Sequence, residues 1–274
     1  MNQQWKVICR VVAISMTALM LASCGGGSGD AVGKCYSPSG AVCAAVGVPR
    51  SLPEPVISSP AGLYKGVTSN GRSLGALVFD DNSFYAIYSQ VNNPSVAAGA
   101  VQGTVRIDQG SFSITDALDV NLEGLGTRVA AVTGSYEQKK VLAGTIAYAG
   151  TPSVGFTANY SPDFELSPSI SAVAGRYVST STNAGRLETT TMDIGNAGDI
   201  TGTVTGGCVF SGTIKPRASG NAYLVSVSFG AAPCRFPGTT VNGVSYFDRT
   251  SNTAYTIAWL PGQSASFITI AAKQ

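Results

Sequence analysis

Past Pro60 the apolar residues recur with period two in short segments, and Gly, Asn, Asp or Ser interrupts the pattern about every ten residues. Successive side chains of a strand point to opposite faces, so this spacing predicts strands buried on one face. No segment carries the 3.6-residue period of an amphipathic helix. Tyr223, Val225, Val227 and Phe229 share one strand face, and Tyr255, Ile257 and Trp259 share another. Phe112 with Ile114, and Val105 with Ile107, give the same pattern earlier in the chain, and all four sets are core candidates. Turns are expected at Asn70-Gly71, Asp80-Asp81-Asn82, Gln109-Gly110 and Gly195-Asn196-Ala197-Gly198, which are rich in residues that tolerate positive φ.

The strands come in two sets. Pro60-Ala61-Gly62-Leu63-Tyr64 followed by Asn70-Gly71-Arg72-Ser73-Leu74 recurs as Val173-Ala174-Gly175-Arg176-Tyr177 followed by Asn183-Ala184-Gly185-Arg186-Leu187. Within both sets a strand reads x-Gly-Thr-x, at Gly103, Gly144, Gly202 and Gly212, and such glycines permit the bends of a small curved barrel. Each set holds about eight candidate strands, and an eight-stranded antiparallel meander can close and remove its aggregation-prone edges. The expected fold class is therefore all-β, with two tandem small antiparallel β-barrels of about eight strands each behind a signal peptide and a flexible tether. One large sandwich is the structural alternative. A barrel spanning a membrane is disfavoured, because Lys65, Arg106 and Glu188 alternate with apolar residues where a lipid-facing band would need none.

The first 24 residues carry an address. Lys6 and Arg10 precede an apolar run from Val11 to Leu21, and Leu21-Ala22-Ser23-Cys24 then reads as a lipobox for signal peptidase II. Cys24 would be the lipidated first residue of the mature chain. From Gly25 to about residue 59, a glycine run, a small cysteine loop and four prolines up to Pro60 read as a tether. The expected division is a signal peptide over 1–23, a lipidated tether with a small disulfide loop over 24–59, one barrel over 60–161, a linker over 162–172 and a second barrel over 173–274.

Removing the signal peptide takes Lys6 and Arg10 with it and leaves fifteen basic against fifteen acidic side chains. A neutral chain offers no clustered Lys and Arg to release counterions from phosphates, so no nucleic-acid partner is expected. The chain has no histidine, which removes Ser-His-Asp and Cys-His triads and every histidine-containing metal site. Gly71-Arg72-Ser73-Leu74-Gly75 matches the G-x-S-x-G nucleophile elbow, yet the elbow needs a strand-to-helix turn and a histidine base, so Ser73 reads as a strand residue after a turn. The acids Asp80-Asp81, and Asp163 with Glu165, fall in turn or linker sequence where acids are ordinary. Tyr136, Tyr148 and Tyr160 read as half-buried strand tyrosines before they read as a glycan platform.

With Cys9 lost and Cys24 lipidated, Cys35, Cys43, Cys208 and Cys234 form an even set suited to an oxidising compartment. Three pairings are possible, and the shorter loops favour Cys35 with Cys43 and Cys208 with Cys234. No C-x-x-C knuckle is present, and neither a metal nor a cofactor is expected.

The lipobox, the tether, Ala61-Gly-Leu-Tyr-Lys-Gly66, Gly75-Ala-Leu-Val-Phe-Asp-Asp81, Ser83-Phe-Tyr-Ala-Ile-Tyr88 and Gly207-Cys-Val-Phe-Ser-Gly-Thr-Ile-Lys-Pro-Arg217 together resemble β-rich lipoproteins of proteobacteria over nearly the whole mature chain. These motifs identify a structural pattern without assigned chemistry. Tandem barrels on a lipid tether are also similar in architecture to surface lipoproteins such as transferrin-binding protein B and factor H-binding protein. That resemblance implies a protein partner and carries over no binding residue.

The leading expectation is a non-catalytic lipoprotein of the cell envelope, lipid-anchored at the outer membrane, whose β modules bind a partner protein or an envelope component. Gly25 after the lipidated cysteine agrees with outer-membrane sorting. A lipocalin-like carrier is the alternative, with any cavity expected in the alanine- and glycine-rich first half. A hydrolase that works without histidine has the least support.

Overall fold

The computed structural model describes residues 59–260, 262 and 266–274. The expected signal peptide, the lipobox residues Leu21, Ala22, Ser23 and Cys24, and the tether cysteines Cys35 and Cys43 lie outside the described residues. The first set of strands is β1 (Gly62–Thr68), β2 (Ser73–Val78), β3 (Ser83–Gln90), β4 (Asn93–Thr104), β5 (Arg106–Asp108), β6 (Ser111–Asn121), β7 (Gly126–Glu137), β8 (Val141–Ala147) and β9 (Val154–Ser161). A 3-10 turn over Pro162–Glu165 and a single short helix, α1 (Ile170–Val173), lead into the second set. This comprises β10 (Gly175–Asn183), β11 (Arg186–Ile194), β12 (Asp199–Val204), β13 (Cys208–Pro216), β14 (Tyr223–Phe229), β15 (Thr240–Asp248), β16 (Thr253–Trp259) and β17 (Ser266–Lys273). Among the described residues no helix is long and apolar enough to cross a membrane.

The first set closes on itself. Each strand pairs antiparallel with the next, β4 and its short continuation β5 both pair with β6, and β9 returns to β1 with Leu63 opposite Ser161 and Thr68 opposite Phe156. The result is a closed barrel of eight strand positions. Its inward side chains, among them Tyr64, Phe84, Phe112, Val132, Leu142 and Phe156, form one buried cluster. Strands β10 to β17 also pair in order. β10 then meets β17 over Tyr177–Ser179, and meets β4 in parallel at Thr180 and Ser181. Tyr177, Phe210, Tyr223, Val227, Phe247 and Phe267 lie in a second buried cluster.

The repeat has a physical counterpart. Tyr64 and Tyr177 are fully buried, and each donates its hydroxyl to a carbonyl four residues back, Pro60 O at 2.9 Å and Val173 O at 2.7 Å. The x-Gly-Thr-x glycines sit where neighbouring strands come too close for a side chain: a Cβ at Gly144 would run into Thr133 O, and one at Gly212 into Ser226 O. The expected turns form, with positive φ at Gly71, Asn82, Gln109, Gly110 and Gly198.

One face lies elsewhere than in a barrel interior. Ile257 and Trp259, with half-buried Tyr255 beside them, pack against Ile87, Ala97, Ala100 and Val120 of the first half. The small residues Ala254 and Ala258 of the same strand join the cluster of the second half instead. A second patch between the halves gathers Leu63, Leu77, Phe79, Val244 and Tyr246. The described residues accordingly belong to one compact unit. The segment expected as a linker is held down as well: the Ser169 amide donates to Tyr223 Oη at 3.2 Å, and Phe164 packs on the patch between the halves.

Lys65 of β1 reaches Asp248 at 2.9 Å and Asp163 at 3.4 Å, tying first-half backbone to second. Burial pushes the Asp248 carboxyl upward, but the Lys65 ammonium and donors from Ser251 and Thr250 outweigh it and hold the group below its ordinary range. A depressed folded-state pKa stabilises above the unfolded value and is lost as pH falls through the folded one. Urea midpoints are therefore expected to drop below about pH 4, and Lys65→Met is expected to flatten that acid limb. An unchanged acid limb in the variant would show that this ion pair does not contribute.

Candidate functional site

The turns β1–β2, β3–β4 and β6–β7 and the β8–β9 loop crowd one end of the first barrel. There the Ser69 amide bonds to Gly155 O at 2.7 Å, and the Asn92 amide to Gly71 O at 2.9 Å. The barrel mouth beneath them holds a charged network. Asp119 is fully buried on β6 and accepts from Tyr88 Oη at 2.7 Å, Tyr148 Oη at 3.0 Å and Arg128 Nη2 at 2.9 Å. Arg72 donates to Glu123 at 2.6 Å and to Ser89 O at 3.0 Å. The guanidiniums of Arg72 and Arg128 lie over the rings of Tyr88 and Tyr148, at 5.3 and 4.0 Å from the centroids. Burial, and then the neighbouring Asp119 charge, pushes both tyrosine hydroxyls well above their ordinary pKa. Two carboxylates face two guanidiniums, so the mouth neutralises itself.

A depression of about 240 Å³ opens above this network, lined in part by Asn121 and the exposed Leu125. Asn121 also lines a second depression, of about 200 Å³, between the β6–β7 turn and residues Asn183, Ala184, Arg235 and Phe236 of the second half. Leu122, Asn183, Arg235 and Phe236 in turn line a third, of about 130 Å³, which reaches Phe229, Phe267, Thr190 and Thr269. The second and third share Leu122, Asn183, Arg235 and Phe236 and form one groove that joins the halves, and the first, which shares only Asn121 with them, lies at the same end. The Ala184 amide donates to Leu122 O at 2.7 Å and fixes the crossing. The Cys208–Cys234 disulfide, which fulfils the shorter-loop expectation, anchors the β14–β15 loop that supplies Arg235 and Phe236.

The two ends of the fold differ in character. Exposed Val91, Leu125 and Leu187 stand at or beside turns of the groove end. At the far end lie the ion pairs Lys139–Glu165, Lys140–Glu137 and Arg217 with Asp80 and Asp81. β1 starts at that far end, because Gly62 pairs with Val78 while Val67 pairs with Ser73 next to the groove-end turn.

The residues singled out from sequence for chemistry do not converge. Ser73 opens β2 and donates its amide to Ser89 Oγ at 2.9 Å. Asp80 and Asp81 are engaged by Arg217, and Glu165 by Tyr160 and Lys139. Tyr136 is buried in the first core, whereas Tyr148 and Tyr160 pack partly buried against it. Both halves, not only the first, carry a depression at this end. The groove residues escaped sequence reasoning because they come from turns and strand ends of both halves that are distant in the chain. One signal was readable: Asp119 and Asn121 interrupt the inward-facing series that continues from Ala117 on β6.

No family model matches the chain, and no curated protein does. Among solved structures, the isotype 1 transferrin binding protein B of serogroup B Neisseria meningitidis is similar at 12% identity and a TM-score of 0.27, over 74% of this chain and 51% of that one. The chain thus spans about half the length of that protein.

Proposed function

We propose that the chain is a non-catalytic, lipid-anchored protein of the bacterial envelope, held at the outer membrane through Cys24, whose two fused barrels bind a partner protein along the groove. The depressions at this end carry this reading: they lie in both halves, exposed Leu125 lines one and exposed Leu187 stands beside the β10–β11 turn, and β1 begins at the opposite end. A chain anchored ahead of β1 presents that end away from its anchor. The return of β10 to β17 and the matched Tyr64 and Tyr177 bonds support two barrels of common design. Interior-facing side chains are packed into buried clusters in both halves, which favours work at the mouths over a lipocalin-like central chamber.

Leu125 in the β6–β7 turn and Leu187 beside the β10–β11 turn expose 61% and 63% of their surface, apolar area that a partner at this end would cover. Leu125→Asp with Leu187→Asp is expected to abolish capture of the partner from envelope extracts, while Lys139→Glu at the far end leaves it intact. Equal capture by the two variants would overturn the groove as the binding face.

A further inference from the structure

The repeat makes the two mouths comparable, and they differ in one respect. In the first, Arg72 turns inward and pairs with Glu123. Its counterpart in the second, Arg186, follows a two-residue turn at Ala184 and Gly185 and stays exposed, with no ion pair among the described residues. Glu188, two residues on, faces the 130 Å³ cavity. It accepts at Oε1 from Asn183 Nδ2 at 2.8 Å and meets no basic side chain within ion-pair distance among the described residues. Arg235, exposed at the rim, donates instead to Asn183 Oδ1 at 2.9 Å. One amide side chain therefore separates an uncompensated carboxylate inside from the uncompensated Arg235 guanidinium outside. The rest of the cavity is a wall of Phe229, Phe236 and Phe267, whose rings touch edge to face, and a hydroxyl side that includes Thr269. Thr269 is 2% exposed and its Oγ1 has no hydrogen-bond partner.

We infer that this second mouth binds a small free α-amino acid with an apolar side chain, its ammonium on Glu188 and its carboxylate on Arg235. A half-buried charge without a counter-ion is costly, and a zwitterion supplies both missing partners at once. The ammonium has only donors, which suits the carboxylate and the threonine hydroxyls. The carboxylate accepts the planar guanidinium fork, and the apolar side chain covers the phenylalanines. Cavities of about 150 Å³ take a benzene-sized ligand, so the available space fits alanine to valine better than tryptophan. The cavity is one stretch of the groove, but the assignment rests on the cavity's own charges and does not depend on partner docking.

The test is a ¹H–¹⁵N titration of the full chain with L-valine, valinamide and N-acetylvaline. Valine is expected to shift the amides of Glu188, Thr190 and Thr269, and each blocked analogue to bind at least about tenfold more weakly, as the loss of one charge-assisted contact requires. Glu188→Gln and the surface variant Arg235→Ala are each expected to lose valine binding by a similar factor. Because Arg235 is exposed, its replacement leaves the core intact and keeps the comparison interpretable. Absence of valine-induced shifts, equal binding of either analogue, or unchanged affinity in both variants would overturn the assignment.

Discussion

Replacing Asp119 by alanine is expected to lower the unfolding free energy by about 3 kcal/mol, the low end of the range for breaking a buried ion pair, because Arg128 keeps some contact with solvent. The fully buried carboxylate serves three donors, and its removal strands the hydroxyls of Tyr88 and Tyr148 and leaves the Arg128 charge facing a tyrosine ring. Arg128 Nε is already buried without a partner, so little spare capacity remains around it. Asp119→Asn, which keeps an acceptor of the same shape, is expected to recover part of the loss. Urea unfolding measures both variants. A loss below about 1 kcal/mol for alanine would mean that water replaces the carboxylate and that the mouth is wetter than its burial indicates.

Removal of the disulfide with Cys208→Ala and Cys234→Ala is expected to cost about 3–4 kcal/mol, from the chain entropy of a closed loop of this size. The bridge spans 26 residues and joins the start of β13 to the β14–β15 loop. Its loss has a local consequence too. That loop supplies Arg235 and Phe236 to the groove, so hydrogen exchange is expected to quicken over residues 230–239 before it does so in the strands. An unchanged urea midpoint would place the stability of this region in Phe210, Phe229 and Phe267, whose rings pack against one another, and not in the crosslink.

The strands were legible because alternation is a local property. Tyr223, Val225 and Val227 are buried as their spacing requires, and the turns fall at the glycine and asparagine positions that tolerate positive φ. Which surface a face is buried against was not legible. Tyr255, Ile257 and Trp259 read as one core face without a neighbour; this face packs against β3 and β4, while the small alanines on the other side of β16 join the cluster of the second half. Alternation identifies a buried face without naming its neighbour. The repeat announced two related sets of strands, whereas the parallel contact of β10 with β4 and the apolar patches that join the sets arise only in three dimensions. The groove was least legible. Arg72 and Asp119 are 47 positions apart in the chain, and the polar break at Asp119 in an inward-facing series does not say that Arg72 shares its mouth. What the sequence did supply was the pair Arg72 and Arg186 at matched repeat positions, and the difference in their settings distinguishes the two mouths.

The groove end is the working face we propose for this protein. A photoactivatable crosslinker placed at Leu125, at Leu187 and, as the far-end control, at Lys139 tests this in intact cells. Adducts to one common partner from Leu125 and Leu187, and none from Lys139, are the expected result; adducts from Lys139 alone, or from all three positions alike, would contradict it.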